Sequence, residues 1–95
     1  MRVFIFLVIV TFDSIRKDIA WLYENDNFKS FGNAISLSAN ISVAQIMDIT
    51  GIERMVTEKL EQVQLMLDRL FYLNKISAYG YDIITKDIEY LLEVR

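Results

Sequence analysis

Apolar and polar residues divide this chain into segments with different periods. The first segment, Val3 to Phe12, is almost wholly apolar and rich in Val, Ile and Phe, which favours a strand buried on both faces. The next segment spaces its apolar positions by three or four residues, as an amphipathic helix does. Those positions are Ile15, Ile19, Leu22 and Tyr23. We therefore predict a central strand followed by a helix that Asp13 or Ser14 caps.

The middle of the chain combines a turn signal with a second helical pattern. Phe28 to Phe31 and Ala34 to Ala39 flank Gly32 and Asn33, two residues that suit the tight turn of a hairpin. Within the second of these stretches, apolar and serine residues alternate, as in a strand with one buried face. We predict a short hairpin here and a helix over Val43 to Ile49 after it.

The last third of the chain begins with the longest helical pattern. From Ile52 to about Asn74, apolar residues recur at intervals of three and four, which predicts a long amphipathic helix. Lys75 to Ile84 then resembles a strand, with Gly80 allowing a bulge. Thr85 would cap a short final helix through Leu92. The predicted order is β, α, β, β, α, β, with an extra C-terminal helix.

That order is typical of the ferredoxin-like α+β class, in which both helices cover one face of an antiparallel sheet. A chain of 95 residues fits one domain. The apolar content of 54% is more than a small monomer hides easily. We therefore expect a homodimer packed through the open face of the sheet. In the alternative, the C-terminal helix with Ile88, Leu91 and Leu92 covers that face.

Composition and charge exclude several classes of function. The chain has no histidine and no cysteine, which excludes catalytic triads, Cys-His proteases and the common zinc sites. A net charge of −3 argues against a nonspecific grip on a phosphate backbone. The run from Val3 to Val10 is shorter than the ~20 residues of a membrane span. We expect a cytoplasmic protein without a membrane partner, and a targeting signal at this run is the alternative.

Three stretches resemble a known group of proteins: Ile9 to Asp13 (IVTFD), Ala34 to Asp48 (AISLSANISVAQIMD) and Tyr81 to Asp87 (YDIITKD). They are similar to parts of small ferredoxin-fold proteins related to the CRISPR-associated spacer-acquisition endonucleases, the VapD toxins and the GhoS antitoxin. The resemblance implies nucleic-acid handling in a mobile-element or toxin–antitoxin setting. It also implies a candidate catalytic and metal-binding residue, Asp13, which would hold Mg²⁺ at the end of the first strand.

Asp13 also has a purely structural interpretation, because an aspartate before Ser-Ile is an ordinary helix N-cap. A second functional alternative is a winged helix-turn-helix regulator, for which Ile41 to Ile52 resembles the first helix and turn. Its phosphate or base contacts would be Arg54, Lys59 and Arg69.

Taken together, these observations predict a small dimeric interaction or regulatory module. We expect no enzymatic activity and no cofactor. The exception would be a metal-dependent ribonuclease or deoxyribonuclease, in which Asp13 would require Mg²⁺.

Overall fold

A computed structural model describes residues 10–94, and within that range the chain forms four helices and no sheet. The helices are α1 (Phe12–Glu24), α2 (Phe31–Ile49), α3 (Glu53–Tyr72) and α4 (Ala78–Glu93). Each helix packs against two others, in the ring α1, α2, α3, α4 and back to α1. The described part of the chain is therefore a four-helix bundle.

Contacts between side chains show that neighbouring helices run in opposite directions. Trp21 near the end of α1 lies beside Tyr79 at the start of α4, with ring centroids 6.5 Å apart. On α3, Gln64 contacts Thr85 of α4, whereas the later Asp68 contacts the earlier Tyr81. The bundle thus has the up-down-up-down topology that short connections produce.

The core consists of rows of apolar residues spaced by three or four along each helix, so that one face of each helix points inward. It contains Phe12, Ile15, Ile19, Leu22, Phe28, Ala34, Leu37, Ile41, Ala44, Val56, Leu60, Val63, Leu67, Ile76, Ile84, Ile88 and Leu91. Full burial of one large aliphatic side chain is worth about 1.5–3 kcal/mol. These rows therefore provide the main stabilisation of the bundle.

Hydroxyl side chains fix the starts of three helices. At α1, the Thr11 hydroxyl accepts a hydrogen bond from the Ser14 N–H at 3.0 Å, and the Ser14 hydroxyl accepts one from the Thr11 N–H at 2.8 Å. Ser30 and Ser77 cap α2 and α4 in the same way. Each such cap stabilises a helix by about 1 kcal/mol. Ile52, at the start of α3, makes no side-chain cap.

The loops at one end of the bundle are joined by backbone hydrogen bonds. Phe28 in the first loop and Ile76 in the third form a single antiparallel bridge. The Ser77 N–H donates to the Asn27 carbonyl at 2.9 Å, and the Ser77 hydroxyl donates to Asn27 Oδ1 at 2.6 Å. This link joins the end of α1 to the start of α4.

The predicted ferredoxin-like α+β fold is wrong, because the described residues form helices where strands were expected. The first predicted strand, Val3 to Phe12, lies mostly outside residues 10–94, but its last residue is the buried start of α1. The interface through an open sheet face is wrong for the same reason. The long predicted helix from Ile52 to about Asn74 is confirmed as α3.

The predicted hairpin is also wrong, and its residues show why. Ser30 caps a helix, and Gly32 and Asn33 lie in its first turn instead of in a reverse turn. Ile35 is exposed whereas Leu37 is buried. The two residues therefore lie on different sides of a helix, although their alternation with serine resembles a strand. The helix predicted over Val43 to Ile49 is only the second half of α2.

The predicted strand over Lys75 to Ile84 is wrong, because α4 begins at Ala78 and Ser77, not Thr85, is its cap. Gly80 lies within this helix, close to the Ile76 side chain: a Cβ there would meet Ile76 at 3.2 Å. The winged-helix alternative would place the end of a β wing at Tyr81, and it fails too, because Tyr81 lies in α4.

Candidate interaction surface

The outer face of α2 is almost free of charged side chains. No Asp, Glu, Lys or Arg occurs from Phe31 to Met47. Solvent-facing positions follow spacings of three, four, three, four and three residues, which is the a/d pattern of a coiled-coil seam. We call these positions the α2 seam: Gly32, Ile35, Ala39, Ser42, Ile46 and Ile49.

The large side chains of the α2 seam are exposed. Ile35, Ile46 and Ile49 are 49%, 61% and 77% exposed, and the adjacent Phe31 is 57% exposed. Single exposed apolar residues are ordinary on protein surfaces, but several large ones in a row along one helix, with only small residues between them, are typical of an interaction site. The seam residues do not contribute to the bundle core, because different residues of α2 face inward.

A groove between α1 and α2 adjoins the first half of the seam. Its volume is about 210 Å³. Tyr23 and Phe31 flank it with their ring centroids 5.2 Å apart. The groove is lined by Ile19, Ala20, Tyr23, Glu24, Phe31, Ala34, Ile35 and Ser38. Its lining is mainly apolar, so it suits an aliphatic side chain better than a polar ligand.

Arg16 on α1 ties the other half of the seam in place. Its Nη1 donates to Gln45 Oε1 at 2.7 Å and to the Ser42 hydroxyl at 3.4 Å. Its Nη2 lies 3.4 Å from Asp13 Oδ1. The Arg16 guanidinium therefore lies along the α1–α2 boundary and contacts the seam at Ser42.

Asp13, the candidate catalytic and metal-binding residue, lies in the first turn of α1 and not at the end of a strand. Its carboxylate is 3.2 Å from the Lys17 ammonium. The Lys17 hydrogen bond and charge, followed by Arg16, hold the pKa of Asp13 below its usual value. Neither Asp13 nor Ser14 is the N-cap, which is Thr11. In residues 10–94, no three acidic side chains converge on a point where they could hold a metal ion.

The three cations of the winged-helix alternative are dispersed along α3. Arg54 pairs with Glu58 at 3.9 Å, and the Lys59 ammonium donates to Gln62 Oε1 at 3.4 Å. At 3.6 residues per turn, Arg54 and Lys59 point about 140° apart. Arg69 lies near the opposite end of the helix, beside α2. The structure therefore does not gather these residues into one basic face.

Asp18 of α1 and Asp87 of α4 form a carboxyl pair between their helices. Burial, and then the hydrogen bond and charge of Asp18, raise the pKa of Asp87 to about 8. Asp87 Oδ2 is buried and accepts no hydrogen bond in the described structure. At neutral pH Asp87 is therefore mostly protonated, and it can donate to Asp18.

A second polar cluster links α3 and α4. The Tyr81 hydroxyl donates to Asp68 Oδ1 at 2.6 Å, and Gln64 Nε2 donates to the same oxygen at 3.0 Å and to Thr85 Oγ1 at 3.1 Å. The hydrogen bond to the Asp68 carboxylate raises the pKa of Tyr81. The cluster fastens α3 to α4.

A cavity of about 500 Å³ lies at the end of the bundle where the loops meet. Its lining includes Asn27 and Ser77, which bond to each other and join the first and third loops.

Comparisons with protein families, with curated proteins and with solved structures gave no match to this chain. None of the four helices in residues 10–94 has the combined length and apolar character that crossing a bilayer requires. The interpretation of the surface therefore depends on its own geometry and chemistry.

The α2 seam was not among the predicted sites, although the sequence contains a signal for it. Seventeen consecutive residues, Phe31 to Met47, lack a charge, whereas α3 carries seven charged residues in twenty. A helix without a charged face has no side that clearly prefers water. The difference in charge between the two segments would have indicated that both the inner and the outer face of α2 are covered.

Proposed function

We propose that this domain is a protein-interaction module that forms a homodimer through the α2 seam. The observation that carries the proposal is the row of exposed isoleucines, Ile35, Ile46 and Ile49, on a helix whose one charged residue is Asp48. Each of these side chains keeps about half or more of its surface in water, so covering each one contributes on the order of 1 kcal/mol.

A second copy of the chain is the occupant that the charge pattern favours. In a twofold dimer the same patch occurs on both sides, so residues near the axis meet copies of themselves. On the outer face of α3, an axis near Glu58 or Glu61 would bring like charges together. The α2 seam contains no ionisable side chain, so it can pack against itself without that cost.

The seam also has the spacing that helix pairing needs. Positions spaced alternately three and four residues apart stay aligned with a partner helix over several turns. With 19 residues, α2 is about 28 Å long. Gly32, Ala39 and Ser42 are small, so the two helix backbones can approach closely between the larger isoleucines.

Nucleic-acid binding is not part of this proposal. Arg54, Lys59 and Arg69 point in different directions and lie among acidic residues of α3, whereas an electrostatic site for nucleic acid needs clustered cations. Nor does the proposal assign a catalytic role to Asp13, whose two cationic neighbours occupy its carboxylate.

The test compares two lysine substitutions at equally exposed positions. Ile46 on α2 and Leu65 on α3 are 61% and 67% exposed. At micromolar concentration, we expect the wild type and Leu65→Lys to sediment at twice the 11.1 kDa chain mass, and Ile46→Lys to sediment at the chain mass. Circular dichroism would verify that both variants keep their helices.

A wild type that stays at 11.1 kDa would contradict the proposal. In that case a different occupant covers the seam, for example the apolar residues 3–9 of the same chain or another protein. Equal loss of the dimer in Leu65→Lys and Ile46→Lys would also contradict it, because the interface would then not be specific to α2.

A further inference from the structure

The two halves of the α2 surface differ in shape, and the difference bears on how two copies fit together. The groove lies beside the first half, at Phe31, Ile35 and Ser38. The most exposed aliphatic side chains, Ile46 and Ile49, project from the second half. A concave end and a convex end on one helix fit each other only when the two helices run in opposite directions.

We infer that the two α2 helices pair antiparallel and that Ile46 of each copy enters the α1–α2 groove of the other. This inference rests on the proposed dimer. The groove volume of about 210 Å³ is sufficient, because a cavity of about 150 Å³ holds a benzene molecule. Tyr23 and Phe31, whose rings contact each other beside the groove, would close over the inserted side chain.

The seam positions match under this arrangement. An antiparallel twofold axis between Ala39 and Ser42 places these two small residues opposite each other at the centre. It also places Ile35 opposite Ile46 of the second copy, and Gly32 opposite Ile49. Small side chains meet at the crossing point, where the backbones are closest, and Ile49, the most exposed isoleucine of the seam, meets Gly32.

A parallel arrangement would lose this fit. The groove of one copy would face the groove of the other, and the cavity between them would remain unfilled, against the close packing of protein interfaces. Ile46 and Ile49 of one copy would face the same residues of the other copy, so that two projecting surfaces would meet. Antiparallel pairing also sets the two helix dipoles in the favourable orientation.

Because the chain has no cysteine, single introduced cysteines can report the arrangement without interference. We would mix Ile35→Cys with Ile46→Cys under mild oxidation and measure disulfide-linked dimers by mass spectrometry. Antiparallel pairing predicts links mainly between the two different variants. It separates residue 35 from residue 35 of the other copy by about 16 Å along the axis, which is beyond disulfide reach.

Links that form mainly within Ile35→Cys alone, or within Ile46→Cys alone, would overturn the antiparallel arrangement while leaving a dimer through α2 intact. Failure of the dimer itself would appear separately, as a chain mass of 11.1 kDa for the wild type in sedimentation. Leu65→Cys is the matched control, because an exposed cysteine on α3 should link with neither variant.

Discussion

Helices α2 and α3 lie side by side with nearly equal lengths of 19 and 20 residues, yet their outer faces differ completely. Both bury an inner row of apolar residues in the same core. The outside of α3 carries charges of both signs, whereas the outside of α2 carries isoleucines and small residues. Inner packing therefore explains the fold of both helices. The α2 seam places exposed isoleucines in a row that contains no charged residue, whereas exposed apolar residues of α3 such as Leu65 lie among charged ones.

The largest expected effect tests whether the inner faces are equivalent. Leu37 on α2 and Leu67 on α3 are both fully buried, so Leu37→Ala and Leu67→Ala should each lower the free energy of unfolding by about 2–5 kcal/mol. Chemical denaturation at matched protein concentration measures both. A loss below about 1 kcal/mol for Leu37→Ala alone would mean that α2 does not pack on the core as described.

A smaller effect tests the outer faces against each other. Ala39→Glu places a carboxylate at the centre of the seam, where dimer formation would remove it from water. We expect its dimer dissociation constant to rise at least about tenfold, or about 1.4 kcal/mol. Gln62→Glu on α3 is the control and should leave the constant unchanged, since residue 62 lies in water beside Lys59. Equal weakening by both substitutions would contradict the distinction between the two faces.

The response to pH should separate stability from dimerisation. Burial and Asp18 raise the pKa of Asp87 to about 8, against an ordinary value of 3.8. Between those values the folded chain holds a proton that the unfolded chain has released, so the free energy of unfolding should fall as pH rises from about 4 to about 8. Asp87→Asn should reduce this fall in a denaturation series.

Asp13→Asn is the control for that series, because Asp13 is exposed and its pKa is lowered rather than raised. Its removal should leave the fall between about pH 4 and pH 8 in place. The dimer dissociation constant should stay constant from about pH 5 to pH 8, because no seam residue titrates there. A wild type whose stability is flat or rises with pH across this range would contradict the assignment to Asp87.

The smallest expected effect is that of salt. Contacts between charged faces weaken when salt screens them, whereas apolar contacts do not. We therefore expect the dissociation constant to stay the same or decrease slightly from about 0.05 to about 0.5 M sodium chloride. Sedimentation equilibrium at the two concentrations measures it. A dimer that dissociates with added salt would point to the charged face of α3 in place of α2.

The sequence predicted α3 because its two faces differ. Val56, Leu60, Val63 and Leu67 repeat at three and four, and charged residues fill the other side, so only a helix places the apolar residues together. The helical part of α1 was predicted for the same reason. Where the apolar spacing and the positions of the charged residues indicate the same inner face, the structure has the predicted helix.

The sequence did not predict the first half of α2 or the start of α4 as helix, because both carry apolar residues on more than one face. Ile35 and Leu37 alternate with serines but lie on different sides of a helix, and Tyr79, Tyr81 and Ile83 imitate a strand in the same way. The candidate site was missed with α2. The expectation of a dimer came from the apolar excess alone, and it stays a prediction.

The most direct test of the account is an isotope-filtered NOE measurement on the wild-type chain, in an equal mixture of ¹³C-labelled and unlabelled protein. We expect contacts between chains at the methyl groups of Ile35, Ile46 and Ile49, and none at Leu65, although Leu65 is 67% exposed. Contacts between chains at Leu65, or their absence at all three isoleucines, would contradict the claim that a second copy covers α2.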